Sequence, residues 1–421
     1  MVVQIGVILF DIWLVGSLGL ESLAAEAIVG PLIVFVMNLS SGSFGGAVAS
    51  AIARALGGGR QDDARSLVLH TLVVAAGFGA LCTLLALTLG PALYRLIGGG
   101  GEVHRIACEF SNVWFSGVAA VWALNMLSGA LRATGDAALP ARIGLVGTGV
   151  YLPLAFVLTL GVGDFRGLGL VGAAIAGLSG SAVSLVLQLR ALWSGRVGFT
   201  PSFAGRGLQR RLFGEIMGVA STGLVITTFG HVSAIVMTGL IGRFGTAALA
   251  GYSIGARLEH MLGALSYGIG TGMTTLIGIA AGANAWQRAV LVAWIGGLWG
   301  AIVVGGIGGI IGLMPETWAR LFASDPEVIA VTVAYLTRVT PFYALFGLGL
   351  TLHFASQGAG RMTVPFLAMA SRAAFALGGG WIAVAVMGWG LESLFWASGI
   401  SAVIYGAAMG GSLLLRPWRS R

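Results

Sequence analysis

The chain has 421 residues, 57% of them hydrophobic and only 9% charged, with 70 glycines and a mean hydropathy of +0.94. Soluble chains carry about 25% charged residues, so a soluble globular protein is excluded and an integral membrane protein is expected. The net charge of +8 does not mark a nucleic-acid binder, because the 23 basic residues, all of them Arg, stand singly between apolar runs.

In chain order, apolar runs long enough to cross a bilayer as helix, about 20 residues each, lie near 2–18, 28–52, 66–90, 106–130, 138–161 and 168–193, then near 214–241, 250–280, 287–313, 329–353, 362–388 and 391–415. They predict an all-α integral membrane fold with twelve transmembrane helices rather than a barrel, whose signal would be short alternating segments. The longest polar break carries Arg196, Arg206, Arg210 and Arg211 with Pro201. It divides an N-terminal six-helix bundle (1–193) from a C-terminal one (213–421) through a linker (194–212). With loops assigned alternately to the two sides, sixteen Arg gather on one and five on the other. The positive-inside rule makes the Arg-rich side cytoplasmic, so linker and both termini are expected inside a bacterial inner membrane. The chain starts almost within its first span, which fits either a helix short at its inner end or a start inside a longer reading frame. Cys82 and Cys108 have no metal-like spacing, and no metal site is expected.

A second pattern cuts across the spans. Leu131 to Pro140 returns as Ser356 to Pro365, sharing its glycine and proline, and Glu102-Val103 returns as Glu327-Val328. Gly167 to Leu170 is answered by Gly388 to Leu391. The two bundles are therefore expected to be one unit written twice, the usual architecture of secondary transporters.

Against this apolar background Asp11 stands out, flanked by Phe10 and Ile12 about midway along the first span. An intramembrane carboxylate costs about 2.5–3.5 kcal/mol on insertion scales and is a functional candidate by default; a structural hydrogen bond is the bland alternative. Arg257, Glu259 and His260 open the eighth span, with Glu259 turned away from the other two by helical geometry; anchoring at the interface and facing a cavity are both open. Arg338 lies in the tenth span beside Pro341, a helix breaker tolerated where protein or water lines the break. His231 and His353 are titratable but more commonly serve as helix–helix hydrogen bonds. Trp114, Trp122, Met126, Met261, Met273, Phe342 and Tyr343 either line a cavity for flat organic ligands or pack between helices. Gly42, Gly46, Gly268 and Gly272, together with Pro153 and Pro341, are candidates for close packing or for hinges. Neither a nucleophile motif nor a metal motif is present, which argues against a membrane-embedded lipid enzyme.

These residues resemble the multidrug and toxic compound extrusion (MATE) transporters over nearly the whole length. The first-helix pattern is similar from Asp11 through Gly16 and Gly19 to Leu23-Ala24-Ala25, the second-helix ending from Val48 through Arg54 to Gly59 with Asp62 and Asp63, and the phrase after helix four from Leu131 to Pro140. Gly245 to Glu259, Gly268 to Gly282 and Phe322 to Val328 look like the family's second-half signatures. The resemblance implies two six-helix bundles around a central cavity, alternating-access export of organic cationic or amphipathic compounds, and exchange for protons or sodium. It also implies that Asp11 belongs to the ion-coupling site. The family's helix-five Asn and Asp fall at Thr148 and Leu152 here, and its seventh-helix Glu falls at Gly230, so the coupling ion stays open. The resemblance calls for no cofactor beyond that ion, for small-molecule substrates and membrane lipid as partners, and for a monomer. A lipid-linked or glycoconjugate flippase is the nearer alternative, and a member without transport a third.

Overall fold

The computed structural model describes residues 2–195, 198–203, 207–415 and 418, and the side chains of all of these except 2–5 and 8. The expectations for the start at Met1, for Arg196 and Arg206 in the linker, and for the tail residues Arg416, Arg419 and Arg421 lie outside the described residues.

The chain forms two compact units. The first comprises Met1–Ile52 and Gln61–Ile216. It opens with α1 (Val2–Gly16) and α2 (Leu20–Asn38), which continues through a π-helical turn, Leu39–Gly45, into α3 (Gly46–Gly57). Then come α4 (Gln61–Leu96), α5 (Gly101–Ser116), α6 (Val118–Ala133) and α7 (Ala138–Leu160). A two-residue hairpin, β1 (Gly161–Val162) against β2 (Phe165–Arg166), leads to α8 (Leu170–Trp193). The second unit comprises Ala53–Arg60 and Met217–Arg421. Its helices are α9 (Arg210–Gly242), whose first turns belong to the first unit, α10 (Thr246–Gly282), α11 (Trp286–Leu313), the short α12 (Pro315–Arg320) and α13 (Pro326–Val339). A 3-10 turn at Thr340–Phe342, built on Pro341, joins α13 to α14 (Tyr343–Gly358). The unit ends with α15 (Thr363–Ala374), which runs on through π-helical turns at Phe375–Gly379 and Ile382–Val386, and α16 (Glu392–Leu415).

Among the described residues ten helices are long and apolar enough to cross a membrane, and α5 with α6, bent by 49°, make an eleventh. With α1, only 15 residues long, they account for the twelve predicted spans. One boundary moves in a way that matters. The second span begins at Leu20 rather than near 28, which carries Glu26 into a helix. Arg372, which the sequence analysis did not single out although the predicted span near 362–388 contains it, lies well inside the Thr363–Val386 span.

The duplication extends to the backbone. Helices α4 and α11 start at 61 and 286, α6 and α14 at 118 and 343, α7 and α15 at 138 and 363, one constant register. The glycines preceding α2 and α10 share a conformation that L side chains rarely adopt, with φ 101° at Gly19 and 104° at Gly245. Asn284, at φ 57° the single described non-glycine residue with positive φ, stands in that register opposite Gly59 at φ 70°. Asn is the side chain that best tolerates this region, because it hydrogen-bonds locally.

Packing relies on small residues because lipid gives apolar side chains no reason to prefer one another. A Cβ on Gly147 would overlap Ser184 Oγ, one on Gly172 the Leu158 carbonyl, and these contacts seat α7 on α8. In the second unit Gly300 and Gly347 bring α11 against α14, and Gly406 brings α16 against the Leu345 carbonyl. The glycines singled out from sequence behave differently: a Cβ at Gly42, Gly268 or Gly272 would meet nothing within 4 Å, while close contact falls to the neighbouring Gly45 and Gly270.

The linker has a defined seat on the first unit. His70, fully buried on α4, donates from Nδ1 to the Ser66 carbonyl at 2.7 Å and accepts the Gln209 N–H at Nε2 at 2.8 Å. Its ring lies edge-on to Phe203 and Phe213, Ser66 Oγ donates to the Ser202 carbonyl at 3.1 Å, and Arg211 pairs with Asp63 at 2.6 Å. Gly406→Ala is expected to cost about 1–3 kcal/mol through overpacking and to lower the thermal midpoint of the detergent-solubilised protein. Gly411→Ala, where a Cβ meets nothing within 4 Å, should leave that midpoint in place.

Candidate functional site

The sharpest polar feature of the first unit is built on α1. Leu14, fully buried, packs with Ala155 of α7 and Ala176 of α8, and Phe10 presents its ring to Tyr151 at 6.5 Å, edge to face. One turn of helix therefore turns Phe10, Asp11 and Leu14 toward α7. Asp11 is half-buried there, and the Tyr151 hydroxyl donates a hydrogen bond to its Oδ1. Trp13 stacks on Phe156 at 6.3 Å, one turn further along α7 beyond Pro153. The positions to which the resemblance pointed for a partner, Thr148 and Leu152, flank Tyr151, so the carboxylate is served from the expected helix by a different residue. A second acid joins it: Glu26, half-buried on α2, lies within the electrostatic reach of Asp11 and of Tyr151.

Two carboxylates and one phenol in a mostly apolar setting can hold a shared proton or a small cation, since two neighbouring negative charges are costly to keep without one. Elsewhere on the same unit Asn125 of α6 donates to Ser40 Oγ at 2.8 Å, within the π-helical turn Leu39–Gly45. Such turns widen a helix by one residue and recur at functional positions.

The second unit has its own cluster. Glu259 of α10 accepts from Tyr335 at 2.6 Å and from Tyr343 at 3.4 Å. Tyr252 stands edge-on to Tyr335 at 5.4 Å, and Phe395 closes its other side at 5.2 Å. The residues predicted to line a cavity otherwise scatter. Arg257 is exposed and lies over the Phe322 ring at 5.2 Å, an arrangement suited to anchoring. Arg338 pairs with Glu392 at the start of α16 and donates to the Ala334 carbonyl at 2.8 Å. His231 donates from Nδ1 to the Thr227 carbonyl of its own helix at 3.0 Å. His353 packs on Phe354, its Nδ1 buried without a hydrogen-bond partner among the described residues. Trp114 lies in the first unit, edge-on to Phe115. Of the seven cavity candidates Trp114, His231, Arg257, Glu259, Arg338, Tyr343 and His353, only Glu259 and Tyr343 meet among the described residues. A cavity of about 900 Å³ in the second unit is lined by Trp286, Ser356, Arg361, Met409 and Trp418 among others, and none of the seven lines it.

Tyr151, Glu26, Tyr252 and Tyr335 escaped the sequence analysis. A signal existed: only 7 tyrosines occur in the chain, and a buried Tyr hydroxyl needs a partner.

A sequence model of the MatE family matches residues 1–157 and 225–382, more than half of the chain. The chain belongs to the MatE family. MatE proteins are transporters and not enzymes. Among curated relatives, a probable multidrug resistance protein NorM of Thermotoga maritima is 25% identical over 322 residues, covering 75% of this chain and 68% of that protein. An FAD transporter of Shewanella oneidensis is 23% identical over 365 residues, covering 84% and 77%. Among solved structures, a MOP superfamily transporter from Pyrococcus furiosus, described as having a binding pocket of reverse polarity, superposes with a TM-score of 0.89 at 21% identity, covering 99% of this chain and 92% of that one. The Vibrio cholerae MATE transporter VcmN in its bent form gives 0.85 at 23% identity, covering 96% and 93%. This likeness establishes the fold, that of the twelve-helix MatE transporters with two repeated bundles.

A hydrogen bond to a charged group contributes about 1.5–3 kcal/mol. A double-mutant cycle of Asp11→Ala and Tyr151→Phe, measured by thermal unfolding in detergent, is expected to show coupling of about that size; additive losses would mean the bond contributes nothing.

Proposed function

We propose that this chain is a secondary active exporter of amphipathic organic compounds, driven by protons or sodium ions entering through the site formed by Asp11, Tyr151 and Glu26. The observation that carries this is a half-buried carboxylate in the middle of α1, hydrogen-bonded by Tyr151 and within the field of a second acid. Binding of a proton or Na+ removes charge that an apolar setting disfavours, and so stabilises the arrangement in which α1 and α7 lie close. A ligand shifts a conformational equilibrium only by its differential affinity for the two states. An acid pair open to one side and enclosed in the other supplies such a difference, and the π-helical turn at Leu39–Gly45 offers a place for the second span to bend.

Several relatives named as multidrug resistance proteins support export as the direction. The bias of Arg toward one side supports a bacterial plasma-membrane orientation with both termini in the cytoplasm. A monomer carrying both units is the working form in this proposal.

Everted membrane vesicles loaded by an imposed proton or sodium gradient provide the test. The wild type is expected to accumulate a fluorescent amphipathic dye under one of the two gradients, which names the ion. Asp11→Asn should abolish the gradient-driven part, and Glu26→Gln should reduce it about tenfold or shift the pH at which it operates, about 1.4 kcal/mol of coupling. Unaltered dye movement in Asp11→Asn vesicles, with protein levels matched, would sink the coupling role.

A further inference from the structure

Arg372 is the least explained charge in the molecule. It lies on α15, about 14 Å from the start and about 20 Å from the end of the Thr363–Val386 span at 1.5 Å per residue, too deep for a simple interfacial anchor. Among the described residues no carboxylate comes within ion-pair distance of it. Its guanidinium is instead held by ring faces, at 4.9 Å from the Phe346 centroid on α14 and 5.7 Å from that of Tyr405 on α16. Its guanidinium carbon lies over both rings, and its N–H donors take part in no hydrogen bond among the described residues. Tyr252 and Tyr343 lie within its electrostatic reach. Those two tyrosines are also within the electrostatic reach of Glu259, and among the described residues Glu259 and Arg372 form no ion pair with each other.

A cation in this setting is expensive, and an uncompensated one at membrane depth marks a functional position. Cation–π contacts hold and orient the guanidinium but do not neutralise it. What an oriented guanidinium with a free edge binds best is a planar or tetrahedral oxyanion, through two parallel N–H···O bonds. Of the aromatic residues around it, Phe346 and Tyr252 are partly exposed and suit a flat ring beside that oxyanion, while Tyr343 and Tyr405 are buried.

We propose that Arg372, with Phe346 and Tyr405, forms a recognition site in the second unit for organic anions that carry an aromatic ring and a carboxylate or phosphate ester. The proposal rests on the exporter function above and narrows its substrate class, replacing the organic cations expected from sequence. A cation entering the same place would meet like charge, which makes Arg372 selective in both directions. In the internal register Arg372 stands opposite Gly147 of α7, one turn ahead of Tyr151. The helix that serves the carboxylate in the first unit thus has, in the second, a counterpart that carries the positive charge.

The test compares two probes that differ only in the anion, riboflavin and riboflavin 5′-phosphate, by equilibrium binding to the full chain in nanodiscs without any gradient. Wild type is expected to bind the phosphate ester at least tenfold more tightly than riboflavin. Arg372→Gln should erase that preference while leaving riboflavin binding in place, and Arg372→Lys, which keeps the charge but loses the fork, should restore part of it. Equal binding of the two probes by wild type, an unchanged preference in Arg372→Gln, or tighter binding of ethidium than of the phosphate ester would overturn the proposal. Thermal unfolding of each variant separates loss of the site from loss of the fold. Because binding needs no ion gradient, an Arg372-dependent preference without gradient-driven transport would count against the exporter function alone. Gradient-driven efflux of ethidium without any such preference would count against the anion site alone.

Discussion

Every backbone N–H and C=O that sits in a bilayer must find its partner inside the protein, and this requirement shapes the rest of the molecule. It turns the apolar runs into helices, and it leaves helix association to close packing rather than to hydrophobic burial. Glycine is what makes that packing possible: Gly147 and Gly172 seat α7 against α8, Gly300 and Gly347 seat α11 against α14, and Gly406 seats α16. Where a helix departs from α geometry it does so at defined places, in the π-helical turns at Leu39–Gly45 and along the end of the α15 span, and in the 3-10 turn at Pro341.

Polar chemistry inside this scaffold follows one habit in both units. The carboxylates Asp11 and Glu259 are each met by tyrosine hydroxyls rather than by arginine. A phenol is a neutral donor with a large apolar body, so it satisfies an acid at membrane depth without importing a second charge. Such an acid remains free to exchange a proton or ion, whereas a bidentate arginine would pin it in its charged form. Arg372, conversely, is held by ring faces and keeps its donors available. Arg338 shows the other solution, an ion pair with Glu392 at the exposed start of α16. The duplicated backbone thus carries unlike chemistry in its two copies.

Much of this was legible before any coordinates. Hydropathy counted the spans, because a bilayer's thickness sets a length that the sequence must match, and the register between Leu131–Pro140 and Ser356–Pro365 survives as helices that start at matching positions. Asp11 was visible because a carboxylate in an apolar run is costly enough to be rare. Its partner was not, since Tyr151 lies 140 positions away and a tyrosine in a span has many innocent roles. Glu26 was hidden by a boundary: an acid near a span's end reads as loop, and only the packing of α2 carries the helix back to Leu20. Arg372 was missed for another reason: it lay inside the predicted span, but counting arginines by side of the membrane presumes that they avoid its interior.

By itself, then, the sequence determined the class, the number of spans, the duplication and the costliest charge, all of which depend on local composition or on period. Only the tertiary structure decided which glycines touch, which tyrosines meet each acid, and which arginine among the described residues is left without an acid. Those outcomes depend on which faces of distant helices meet, and a helix one residue longer or shorter turns a different face to its neighbour by about 100°.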